Sequence, residues 1–249
     1  MFVERFLRDM QSAGLFLTRL PLPQFAEDAE PPSLAQSMRA FPVIGALVGL
    51  IGGIVFFIAD RLELPPLLAA LLALGAQALA TGSLHEDGLA DTADGFGGGR
   101  DPLHRMDIMR DSRIGSFGVV ALILAFGIKA AALAALATSG AVGALIAAGA
   151  ISRGAVPAII AASHPARQDG LGATAGLPDG STGTAAILIS ALIALIFLGS
   201  RCLPALALSA LAGAAMILLA QRKIGGYTGD VLGASIVVIE TAVLVAALP

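Results

Sequence analysis

Seven stretches of this chain are long, apolar and almost free of charge, and they constrain its fold more than any motif does. They cover residues 41–59, 65–82, 115–137, 141–162, 184–199, 203–220 and 231–248. A helix needs about 20 apolar residues to cross a bilayer core. Backbone polar groups in lipid must be satisfied within the segment, so unbroken apolar runs read as helices, whereas a barrel would alternate. The expected fold is all-α, one polytopic membrane helix bundle of about seven transmembrane helices over residues 1–249. Composition agrees. Of 249 residues 57% are hydrophobic and 13% charged, against about 25% charged in average soluble domains. A formal net charge of −3 argues against a nucleic-acid binder, and the lone Cys202 leaves no disulfide framework.

Counting sides by alternation puts Arg5, Arg8, Arg19, Arg39, Arg100, Arg105, Arg110, Arg113, Arg167, Arg222 and Lys223 together, against Arg61 and Arg201. Positive charge concentrates on the cytoplasmic side, so the N-terminus is expected there, in a bacterial inner membrane. Residues 1–40 read as cytoplasmic: an amphipathic surface helix with Phe2, Phe6, Met10 and Leu17 on one face, then a loop over 20–40. Glu4 and Asp9 interrupt the first apolar run, which excludes a signal peptide. Gly45, Gly49, Gly52 and Gly53 have the spacing of close helix packing.

Acids concentrate in the cytoplasmic segment 83–114, which holds Glu86, Asp87, Asp91, Asp94, Asp101, Asp107 and Asp111. If the second span continues as helix, Asp87, Asp91 and Asp94 fall within roughly 60° of one face. Stacked carboxylates repel, so either some hold protons or a divalent cation lies among them. An all-oxygen set suits Mg²⁺ or Mn²⁺. Asp107 and Asp111 repeat the four-residue spacing at the approach to the third span, among Arg100, Arg105, Arg110 and Arg113. Carboxylates with arginines suit metal-bridged phosphate. A solvated loop of structural ion pairs is the plainer alternative. The glycine-rich segments 163–183 and 222–234 lie on the same side, with Thr228 and Asp230 in the second. Arg153 falls inside a span, where charge is costly and marks function. Glu240, mid-span, reads as a buried carboxyl with a helix-packing role or a binding one, and Lys129 snorkels or faces the bundle interior. His85 adjoins the acid row as a ligand or proton carrier.

The strings HEDGLADTADG, RMDIMRDSRIGSFG, SRGAVPA and GGYTGDVLGA resemble the cobalamin synthase (adenosylcobinamide-GDP ribazoletransferase) family, and FLTRLPLP and FPVIGALVG fit as well. The resemblance runs from about residue 10 to the last span, departing at Glu86 and Tyr227. It implies a Mg²⁺-dependent transferase that joins adenosylcobinamide-GDP to α-ribazole, or its 5′-phosphate, and releases GMP late in vitamin B12 assembly. Under it Asp87, Asp91, Asp94 and Asp111 hold the metal. Asp111 or His85 serves as general base, and Arg110, Arg113, Arg153, Thr228 and Asp230 bind substrate. Asp91, Asp94, Gly95, Arg100, Asp107 and Asp111 also follow the order of the CDP-alcohol phosphotransferase signature with other gaps. That enzyme of phospholipid synthesis is the first rival. A membrane prenyltransferase lacks its second acid motif here. A secondary transporter, the non-enzymatic rival, would carry its acids near mid-membrane. The expected partners are the two small-molecule substrates and the lipid bilayer, with self-association left open.

Overall fold

The structure, a computed structural model, describes residues 2–25 and 31–249. Part of the 20–40 loop therefore lies outside the described residues, as does the Phe2 side chain. The fold is helical throughout, as the apolar runs require. The helices are α1 (Phe2–Leu17), α2 (Leu34–Ser37), α3 (Phe41–Arg61), α4 (Pro66–Thr81), α5 (Leu84–Gly98), α6 (Pro102–Ile108) and α7 (Ser116–Ala134). They continue as α8 (Thr138–Gly154), α9 (Val156–Ala161), α10 (Leu171–Thr174), α11 (Gly180–Leu198), α12 (Cys202–Ile224) and α13 (Gly229–Ala246).

Among the described residues five stretches are long and apolar enough to cross a membrane, or six if the bent pair α4–α5 counts as one. One of them, Gly180–Ile224, contains both α11 and α12. Gly199 separates these with φ +53°, and Cys202 returns to the Ala191 carbonyl at 4.0 Å, so the two helices form a hairpin.

Helix α8 is the central post. Its residues from Gly143 to Gly154 are all buried. It packs on α3 through facing glycines: a Cβ on Gly45 would collide with the Gly149 carbonyl, and one on Gly149 with that of Gly45. Gly49 faces Leu145 and Ile146, Gly52 faces Gln77 of α4, and Gly53 faces Val142. The glycine spacing is thus a packing face, with α8 as its main partner. Helices α7, α11 and α12 are peripheral; Ile123, Leu188 and Leu211 are each more than 60% exposed, as lipid-facing positions should be.

Three expectations need correction. The second span does not run on into the acid row. Gly82 and Ser83 both take left-handed backbone, φ +64° and +57°, and α5 leaves α4 at 94°. The stretch 20–40 is not all loop, because α2 and a 3₁₀ turn over Met38–Ala40 close it. The apolar face of α1 meets protein: Ala13 and Leu17 are buried, and Phe16 stacks on Phe41 with centroids 6.1 Å apart. Asp9, on the same helix, is buried against Arg39.

Candidate active site

The site is built around α5, whose sequence LHEDGLADTADGFGG sets acids among small residues. Small residues let neighbours come close. A Cβ on Gly88 would lie 2.7 Å from the Asp230 carbonyl, so α13 crosses α5 in direct backbone contact. This brings Asp87 and Asp91 beside Asp230 on the first turn of α13. The Asp91 carboxyl is pushed up to about 7, first by desolvation, then by repulsion from Asp87, Asp230 and Asp94.

Asp94 has another task. Its oxygens accept the Gly115 N–H at 2.7 Å and the Gly118 N–H at 2.9 Å. Gly115 is the N-cap residue of α7 and has no side chain to cap with, so a carboxylate from α5 does it. The expected Asp107–Asp111 row does not form. Helix α6 ends at Ile108, Asp107 is exposed, and Asp111 lies in the following turn. There Asp111 grips Arg113 at 2.8 and 3.1 Å, which holds its carboxyl down to about 2. In this arrangement Asp94 is taken up by the α7 N–H groups and Asp111 by Arg113. Among the described residues no three His, Cys, Asp or Glu side chains converge closely enough to hold a metal by themselves. Mg²⁺ asks for less: one or two carboxylates, completed by water and substrate phosphates. Asp87 and Asp91 meet that requirement.

A cavity of about 330 Å³ opens against this face of α5. Its apolar walls include Phe16, Leu34, Met38, Phe41, Ile160 and Ile236, and its polar groups are His85, Asp87, Arg167 and Asp230. Arg167 is the residue that the sequence reading passed over, counting it only as a marker of side. Its Nη2 lies 3.5 Å from Asp230, its Nε lies 3.9 Å from Asp169, and its Nη1 is buried without a partner. Arg110 reaches the same Asp169 at 2.8 and 3.0 Å. The two glycine-rich segments meet here. The Ala166 N–H donates to the Tyr227 carbonyl at 2.8 Å, and the Tyr227 N–H donates to that of His164 at 2.9 Å. Any side chain at Gly226 would strike the His164 carbonyl. That shared glycine content was the available signal for Arg167.

Other expected substrate contacts prove internal. Thr228 is buried; its hydroxyl accepts the Val231 N–H at 3.3 Å and donates to Asp230 at 3.1 Å, so it orients Asp230. Arg153 is buried and pairs with Glu240, which also holds Lys129 at 3.0 Å. Arg153 Nη2 lies 3.4 Å from His85 Nδ1. A guanidinium only donates, so Nδ1 accepts and Nε2 carries the proton. His85 Nε2 is buried and has no hydrogen-bond partner among the described residues.

Fold and site together define a polytopic helical membrane protein with a carboxylate-and-arginine site in a cavity at one end of its bundle. The family model for cobalamin-5-phosphate synthase matches residues 9–248. The chain is 47% identical over 234 residues to the adenosylcobinamide-GDP ribazoletransferase of Bradyrhizobium diazoefficiens, covering 93% of this chain and 90% of that one. It is 44% identical over 254 residues to that of Azorhizobium caulinodans, covering 98% and 96%. It is 45% identical over 247 residues to that of Xanthobacter autotrophicus, covering 94% and 93%. No solved structure matches the chain. The chain belongs to the cobalamin-5-phosphate synthase family.

Proposed function

We propose that this chain joins adenosylcobinamide-GDP to α-ribazole, or to its 5′-phosphate, and releases GMP, as a Mg²⁺-dependent transferase of late vitamin B12 assembly. One observation carries the reading beyond the family. The α5–α13 crossing brings Asp87, Asp91 and Asp230 within electrostatic reach of one another, and Asp87, Asp230 and Arg167 line one cavity. An enzyme that moves a phosphoryl group needs this combination of charge.

The reaction is a substitution at phosphorus. The ribose hydroxyl of α-ribazole attacks the phosphate on the cobinamide side, an O–P bond forms, and the bond to GMP breaks. Asp87 and Asp91 are the residues that would hold Mg²⁺, which when bound polarises the phosphoryl oxygens. Asp230 takes the hydroxyl proton, oriented by the Thr228 hydroxyl and by Arg167, as a base held by a third group should be. Arg167 and Arg110 hold the diphosphate once it displaces Asp169 from them. The apolar wall from Phe16 to Ile236 faces the corrinoid.

Helix ends support a single orientation. Gly154 at the end of α8 meets Pro42 at the start of α3. Arg19 meets Ala80 at the end of α4, and Lys223 of α12 meets Phe96 of α5. These contacts support reading the eleven basic residues as belonging to one end of the bundle, which is assigned to the cytoplasm.

The test is GMP release by protein purified in detergent, supplied with Mg²⁺, adenosylcobinamide-GDP and α-ribazole. Metal-dependent GMP and a corrinoid product of the expected mass are the expected result. Asp91→Asn removes metal dependence along with turnover, and Asp230→Asn lowers kcat by about 10²–10⁴-fold. Absence of GMP from a folded, Mg²⁺-binding sample rejects the reading, and CDP-linked lipids become the next substrates.

A further inference from the structure

A second polar cavity, of about 410 Å³, lies between α1, α2 and the start of α11. The segment that walls it with Gln36 and Arg39 turns Leu34 and Met38 toward the reaction cavity, so the two cavities lie on opposite sides of one short piece of chain. Three guanidinium groups line the second cavity: Arg5 and Arg8 from α1, and Arg39 from the 3₁₀ turn. Asp9 and Asp179 line it too, and each has partners: Asp9 takes up Arg39 of the same cavity, and Asp179 caps α11. Asp9 is buried against Arg39. Asp179 accepts the Thr182 N–H at 2.6 Å and the Ser181 hydroxyl at 2.8 Å, closing the first turn of α11. Arg5 and Arg8 stay exposed about one turn apart, beside the positive end of the α11 dipole. Neither forms an ion pair with a carboxylate of the described residues, and paired guanidinium forks fit an anion with several acceptor oxygens, for which phosphate is the usual match.

The surroundings point to the kind of phosphate. Helix α11 passes from Ser181 and Thr182 in the cavity wall to Ile187 and Leu188, which are 50% and 63% exposed. At about 1.5 Å of rise per residue, those side chains lie roughly 8–9 Å along the helix from Thr182. The headgroup layer of a bilayer is about 5–8 Å thick on each side. A phosphate in the cavity would therefore place an attached apolar tail against the exposed side of α11. We infer that this cavity binds the headgroup phosphate of an anionic phospholipid, whose acyl chains run down α11. The inference does not rest on the reaction assigned above.

Native mass spectrometry and thermal melting of the full chain in detergent test it, with phosphatidylglycerol, phosphatidylcholine and inorganic phosphate as separate additions. Phosphatidylglycerol is expected to stay bound and raise the melting temperature, with little effect from the other two. Basic residues at a membrane surface contribute about 1 kcal/mol each, roughly fivefold. The double variant Arg5→Gln, Arg8→Gln should then bind phosphatidylglycerol about 30-fold more weakly, and Arg8→Gln alone should fall between. Equal retention of phosphatidylcholine overturns the proposal, as does unchanged binding by the double variant. Equal stabilisation by inorganic phosphate overturns it in favour of a soluble-anion site. If the double variant loses as much melting temperature without lipid as with it, the arginines serve the protein's own carboxylates and the proposal falls.

Discussion

Asp91 and Asp94 are three positions apart on one helix, yet their surroundings give them opposite tasks. Asp94 satisfies two backbone N–H groups of α7. Removing it strands one buried and one part-buried donor, at roughly 1–3 kcal/mol for the buried one. Asp94→Ala is expected to melt well below the parent in detergent while keeping its Mg²⁺-dependent rise in melting temperature. Asp91→Asn is expected to do the reverse, and differential scanning fluorimetry with and without Mg²⁺ separates the two. Asp91 also sets a pH dependence. Its carboxyl stands near 7 in the fold and near 3.8 when unperturbed. Between those values the folded chain holds a proton that the unfolded chain has released, so stability falls as pH rises from about 4 to about 7. Mg²⁺ needs the ionised carboxylate. The Mg²⁺-dependent rise in melting temperature should therefore grow from pH 5.5 to pH 8, and should vanish in Asp91→Asn.

Helices were the most legible feature because lipid forces every apolar run to satisfy its own backbone. The run 41–59 becomes Phe41–Arg61, and 231–248 becomes Gly229–Ala246. The break between α4 and α5 was not legible, since Ser83 takes left-handed backbone that serine rarely adopts. Glycine meaning was half legible: the spacing 45, 49, 52, 53 announced a packing face, but not its partner. Gly149→Ala forces a methyl into the Gly45 carbonyl at the α3–α8 contact, and little folded protein should survive extraction. Gly127 of α7 has open space around it and ordinary helical backbone. Gly127→Ala should therefore stabilise by about 0.4–1 kcal/mol, measured as a higher melting temperature.

Across the bundle, the buried charges Lys129, Arg153 and Glu240 tie α7, α8 and α13 together. His85 of α5 joins the same group through Arg153, so the network fixes the acid helix as well as the spans. Glu240→Gln leaves two buried cations without their anion. The expected cost is about 3–5 kcal/mol, read as a fall in the yield of monodisperse protein at unchanged expression. From the sequence, Glu240 read as a buried carboxyl with a helix-packing role and Arg153 as a substrate ligand; their pairing was not legible because they lie 87 positions apart. The order of residues did settle the membrane class and the apolar runs that become helices, although seven were expected to span and five or six among the described residues are long and apolar enough. Those properties follow from composition and spacing over a few turns. Which carboxylates share the site was decided by the crossing of α5 and α13. Asp230 lies 139 positions beyond Asp91, and they meet because Gly88 lets one backbone pass against another. Asp94 sits three positions from Asp91 and left the site, because the nearest unsatisfied N–H groups were those of α7.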